Sequence, residues 1–129
     1  MNSKDLQVLL HILKHCNEVA ETVQRFSASK ALFMSDHVFY NACSMAIFQV
    51  GELSKRFSEE FKAVHNHLPW NDMRGMRNLF AHEYESVNKE LLWETVQTDI
   101  PNLYDELKII LHAERNDTSK DNEESDVTT

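Results

Sequence analysis

From Leu6 the apolar positions Leu6, Leu9, Leu13, Cys16, Ala20 and Val23 advance by threes and fours. That spacing lines one face of a helix and leaves the polar residues on the other. Ser3 is a candidate cap for its start, and residues 27–29 are a candidate break. A second stripe follows Asp36, itself suited to capping, and runs through Phe39, Cys43, Ala46, Ile47, Val50 and Leu53. Gly51 interrupts it. A glycine inside a helix costs about 1 kcal/mol relative to alanine, so it reads either as room for another backbone or as a tolerated residue near the helix end. Residues 58–64 predict a short helix. Pro69 suits a first helical position, and a further helix is predicted from about residue 70 to residue 81. Beyond residues 86–88 come Leu91, Leu92, Val96, Ile100, Leu103, Leu107, Ile110 and Leu111, with Pro101 either kinking one long helix or separating two. Four or five helices with short connections predict an all-α antiparallel bundle.

Composition supports that fold. Two glycines and two prolines in 129 residues are too few for the many turns of a β-sandwich. A chain of this length fits one domain able to fold without staples. Cys16 and Cys43 both fall within helical patterns and lack the spacing of a disulfide framework, which reads as two small buried hydrophobes. No apolar run approaches the ~20 residues of a membrane span, and the first residues lead directly into an amphipathic pattern with no signal-peptide core. A cytoplasmic location and no membrane partner are expected.

Charge complicates the search for a partner. A formal charge of −8 argues against nonspecific nucleic-acid binding, which rests on a basic surface. Half of that charge, however, sits in residues 113–129, where six acids face only Arg115 and Lys120. The domain proper is taken as residues 1–112. Residues 113–129 lack aromatics and apolar periodicity and are expected to be a solvated, disordered acidic tail.

Candidate chemistry concentrates in residues 74–84, Arg-Gly-Met-Arg-Asn-Leu-Phe-Ala-His-Glu-Tyr. A core-facing helix seldom carries two arginines, an asparagine, a histidine and a tyrosine in so short a run. At ~100° per residue, Arg74, Asn78 and His82 form a stripe, whereas Arg77 and His82 stand ~140° apart. One rigid helix therefore splays them. Either the helix loosens before His82, or a second chain completes the site. The residue types fit cleavage of an RNA phosphodiester. His82 has a side chain whose ordinary pKa of ~6.5 suits proton transfer. Arg77 offers a fixed cationic fork for the phosphoryl oxygens, Asn78 an amide to orient the histidine or bind a phosphate oxygen, and Tyr84 a ring and hydroxyl for a nucleotide. A single histidine leaves the mechanism short of a second acid or base, which a symmetric dimer would supply.

The order Arg77, four residues, His82, one residue, Tyr84 resembles the signature of the HEPN superfamily, and of HepT-like ribonuclease toxins in particular. The Gly51-Glu52 pair, the Pro69-Trp70 entry, the run Met76-Arg77-Asn78 and the stretch 93–103 also resemble that family, so the likeness covers about residues 5–112. The resemblance implies a homodimeric helical bundle with both motifs at a shared cleft, acting as a metal-independent endoribonuclease that needs no cofactor. It implies that Arg77 and His82 are the catalytic pair, with Asn78 as the polar residue after the arginine; Arg74, on the stripe with Asn78 and His82, is read with Asn78 as a supporting residue. It further implies an RNA substrate, no DNA partner, and a cognate minimal nucleotidyltransferase (MNT-type) antitoxin able to silence the toxin by attaching AMP to Tyr84.

Plainer readings compete with these. Arg77 could cap carbonyls or pair with Glu83 or Glu85, His82 could be a half-buried histidine at a helix end, and Tyr84 could be a packing residue with a wet hydroxyl. The pairs His11/His15 and His65/His67 suggest a metal site but lack a third ligand at metal spacing, and are expected to face solvent. Trp70, Trp93, Phe39, Phe57 and Phe80 are read as core or interface. Two other functions remain: a noncatalytic nucleotide- or RNA-binding subunit of a nucleotidyltransferase, and a purely structural dimerisation module.

Overall fold

The computed structural model of the chain describes residues 1–82 and 88–127, with the side chains of residue 76 and of residues 78–82 and 118–127 outside that description. Seven α-helices appear among the described residues: α1 (Ser3–Arg25), α2 (Lys30–Ser35), α3 (His37–Ser54), α4 (Glu59–Val64), α5 (Trp70–His82), α6 (Lys89–Glu94) and α7 (Ile100–Val127). No strand occurs among them. The all-α bundle expected from periodicity is what forms: α1 packs on α3 and α7, and α3 packs on α5.

The core follows the two stripes closely. Leu9, Ile12, Leu13, Cys16 and Val19 of α1 meet Phe39, Cys43, Ala46, Ile47 and Val50 of α3, and Leu103, Leu107 and Leu111 of α7 close over them. Val19 rather than Ala20 carries the α1 stripe at its C-terminal end, and Ala20 is exposed. The α1 cap is Asn2 and not Ser3, because the Asn2 side chain accepts the Asp5 N–H at 2.7 Å. Asp36 caps α3 as expected, accepting from Val38 and Phe39. The break after α1 is a real turn, with Ser27 and Ala28 at φ of 59° and 52°. Both cysteines are buried, and burial pushes each thiol up to about 12. They pack as hydrophobes rather than act as nucleophiles.

Two further features differ from the pattern reading. The short helix α2 has no periodicity to betray it, yet its Phe33 is fully buried. Phe33 sits edge-on to Phe39 at 5.2 Å and against Trp93 at 5.0 Å, which ties α2 to α3 and α6. The last segment is divided just before Pro101. Residues Thr95–Asp99 form a π-helical turn between α6 and α7, with the Ile100 N–H donating to the Thr95 carbonyl five residues back. A wider turn just before a proline gives its ring the room that an α-turn denies against the carbonyl four residues earlier.

No helix among the described residues is long and apolar enough to cross a membrane. α7 continues unbroken past residue 112 to Val127, so the backbone there is helical where composition suggested an unfolded tail. At the start of that stretch Ala113, Arg115, Asn116 and Asp117 are exposed. Helical continuity follows from the anchoring of the same helix upstream by Leu103, Leu107 and Leu111, since propagation from a formed helix is far cheaper than nucleation.

Candidate active site

Gly51 explains how α3 and α5 come together. A Cβ built on Gly51 would lie 2.7 Å from the Arg77 Cβ and 3.0 Å from the Met73 carbonyl oxygen, so the two helices cross closely at this residue. Of the two readings left open for Gly51, close backbone approach is the one that holds. α5 itself starts where Trp70 follows Pro69, with the indole Nε1 donating to the His65 carbonyl at 2.9 Å and the ring edge-on to Phe57 at 5.5 Å. Met73 seats the next turn in the core.

That crossing brings Arg77 beside Glu52, the residue after Gly51. The Arg77 Nε donates to Glu52 Oε1, and both side chains are half-buried. The Arg77 hydrogen bond and charge hold the Glu52 carboxyl below its ordinary value, helped by Lys55 and Arg56. Glu52 therefore stays a carboxylate across the physiological range, and one edge of the guanidinium is fixed in direction. Glu52 is the partner of Arg77 that local sequence reasoning missed, having looked to Glu83 and Glu85, which lie outside the described residues. Twenty-five positions separate the pair. The signal that could have found it was the Gly51-Glu52 dipeptide, since a glycine that admits a second helix aims its neighbour at whatever that helix carries.

Arg74 lies on α5, one turn before Arg77, and is exposed. Asn78 and His82 belong to the same helix by backbone, and their side chains are outside the described set; Tyr84 lies outside the described residues altogether. The backbone of α5 runs as helix through His82. Of the two ways for Arg77 and His82 to converge, loosening of the helix before His82 is thus absent, and their backbone positions stand ~140° apart around one axis.

The other histidines lie elsewhere. His11 is exposed, and His15 Nδ1 is 3.1 Å from Glu18 Oε2. His65 is not simply solvent-facing: its ring lies 4.5 Å from that of Phe61, and burial pushes its pKa down. His65 and His67 line a cleft of about 660 Å³ with Glu60, Glu106, Glu114 and Asp117. Neither Arg74 nor Arg77 lines that cleft.

The chain matches the model of the family described as Ribonuclease HepT-like over residues 12–110. The chain belongs to this family. A candidate RNase of Caldanaerobacter subterraneus subsp. tengcongensis is 36% identical over 107 residues, covering 83% of this chain and 94% of its own length. The probable ribonuclease HepT of Thermococcus cleftensis is 33% identical over 93 residues, 70% of this chain and 84% of that protein. A candidate RNase of Methanocaldococcus jannaschii is 28% identical over 111 residues, 85% of this chain and 100% of the relative. No solved structure matches the chain. The matched span contains Gly51, Glu52, the whole of α5 and the run to Tyr84, so the HepT-like match takes in the candidate site as well as the bundle around it.

Proposed function

We propose that this HepT-like ribonuclease is the toxin of a toxin–antitoxin pair, cutting RNA without a metal ion through Arg77 and His82 in a cleft shared by two copies. The observation that supports the reading is the seat of Arg77: a half-buried guanidinium fixed by Glu52 at the Gly51 crossing, on a helix that continues to His82. In the reaction the ribose 2′-oxygen attacks phosphorus and the bond to the 5′-oxygen breaks, leaving a cyclic phosphate and a 5′-hydroxyl. Arg77 offsets charge on the phosphoryl oxygens. The His82 imidazole of one copy takes the 2′-proton, and that of the second copy gives a proton to the leaving oxygen. Asn78 and Arg74 support the pair by binding or orienting phosphate.

Purified protein should cleave RNA in EDTA. His82→Ala and Arg77→Ala should each lower the rate by roughly a hundredfold or more while circular dichroism stays unchanged. Full cleavage by both variants would overturn the assignment. The regulatory half of the reading gives the chain an MNT-type nucleotidyltransferase as antitoxin, with Tyr84 as the AMP acceptor. Coexpression with a nucleotidyltransferase from the adjacent reading frame should add the mass of AMP to the peptide holding Tyr84; an adduct on another residue counts against Tyr84.

A further inference from the structure

A chain with a net charge of −8 must still hold a polyanion if it cuts RNA, and the arrangement of its charges shows where it can. Acids gather on one side. Asp72, Asp99 and Glu106 line a cleft of about 220 Å³ between α5 and the start of α7. Glu106 also lines the larger cleft with Glu60, Asp117 and Glu114, the last paired with the Met1 ammonium at 3.2 Å, so the two clefts adjoin in one surface where acids outnumber cations. RNA phosphates are repelled from it.

Cations gather around Arg77 instead. Lys55 and Arg56 follow Glu52 by three and four residues and are exposed at the end of α3. Lys55, the C-cap of α3, keeps the Glu52 side of the helix end, the side from which Glu52 reaches Arg77, and Arg56 follows in the adjoining turn; both act on the Glu52 carboxylate through space. On α5, Arg74 precedes Arg77 by three residues, which separates the two by only ~60° around the axis. Asp72 stands ~160° from Arg74 and ~140° from Arg77, toward the anionic clefts. α5 is thus cationic on one flank and anionic on the other. Four of the thirteen lysines and arginines of the chain belong to this one region.

We propose that Lys55 and Arg56 form a platform beside Arg77 that binds the RNA backbone outside the scissile phosphate. It rests on the ribonuclease reading above and adds to it a second contact zone, which reads phosphates and carries no base specificity. Cations at the end of α3 also favour the helix dipole. A dipole role alone would alter stability and leave the salt dependence of RNA binding untouched.

The test uses the full chain and a fluorescent single-stranded 2′-O-methyl oligonucleotide, which lacks the attacking hydroxyl, with affinity measured across a salt series. Lys55→Glu/Arg56→Glu should weaken binding at low salt by roughly tenfold or more, and should flatten the slope of log affinity against log salt by about 1.4, the loss of two single-strand phosphate contacts. Lys108→Glu on α7, the same charge change elsewhere, should leave the slope as it was. Lys55→Gln/Arg56→Gln provides the same comparison if the reversal unfolds the protein, as judged by circular dichroism. Wild-type slope and affinity in the folded double variant, in a protein that cleaves RNA in EDTA, would overturn the platform and leave the ribonuclease reading standing. A wild type that neither cleaves RNA nor binds the oligonucleotide would overturn both.

Discussion

Two glycines, one on α3 and one on α5, have opposite energetic meanings. At Gly51 an added methyl would meet the Cβ of Arg77 and the carbonyl of Met73, and neither can swing aside as the tip of a long side chain could. At Gly75 nothing lies within 4 Å of the added carbon. Gly51→Ala should therefore destabilise the fold by about 1–3 kcal/mol through overpacking, while Gly75→Ala should stabilise it by up to about 1 kcal/mol through helix propensity. Urea unfolding of the two variants measures both, and equal effects at the two positions would refute the crossing. Glu52 carries a second prediction, in pH. Its folded pKa lies below the ordinary value of 4.5, so the native state binds its proton less readily than the unfolded chain. The stability it contributes is complete above about 4.5 and is lost as pH falls through the folded value. The stability difference between wild type and Glu52→Gln should accordingly be flat at neutral pH and shrink on acidification below that point. A difference that instead grows with acid would show that the Arg77 pairing does not hold the carboxylate.

At the scale of elements, one buried carboxylate joins the start of α1 to the start of α4. Asp5 is 2% exposed; it accepts the Ser58 N–H at 2.8 Å and the Ser58 hydroxyl at 2.6 Å, while that same hydroxyl oxygen accepts the Phe61 N–H to cap α4. Asp5→Ala leaves a backbone donor without its charged acceptor and should cost about 1–3 kcal/mol, with amide exchange rising first in α4. Exchange unchanged in α4 would mean that its packing through Phe61, not Asp5, holds the helix. This link shows why some of the fold was readable in sequence and some was not. The α1 and α3 stripes, the Asp36 cap and the α5 boundaries depend on residues within a few positions of one another, so spacing alone disclosed them. Asp5 and Ser58 are 53 residues apart, α2 is too short to show a period, and the relief around Pro101 was a π-turn where a kink or a break seemed the only choices. The candidate site divides in the same way. Arg77 and its helix were legible as an unusual polar run, whereas Glu52 as its partner needed the packing of α3 against α5.

The whole molecule sets two electrostatic demands against each other. Two chains each carrying −8 repel, and added salt screens that repulsion, with a Debye length of about 10 Å at 0.1 M. The proposed dimer should therefore tighten as salt rises. The proposed RNA binding beside Arg77 runs the other way, because salt competes for the phosphates. In the proposed shared cleft cleavage needs both steps, since Arg77 and His82 diverge on the unbroken α5 and the second copy supplies the missing half. At a protein concentration too low to saturate the dimer, the cleavage rate should pass through a maximum as salt is raised. Raising the protein concentration should move that maximum to lower salt, because the dimer then forms without the help of screening. Initial rates across a salt series at two protein concentrations, with the dimer fraction followed by sedimentation, test the whole scheme. A rate that falls steadily with salt at both concentrations, alongside a verified monomer, would mean that a single chain assembles the site and that α5 rearranges around His82 when RNA binds.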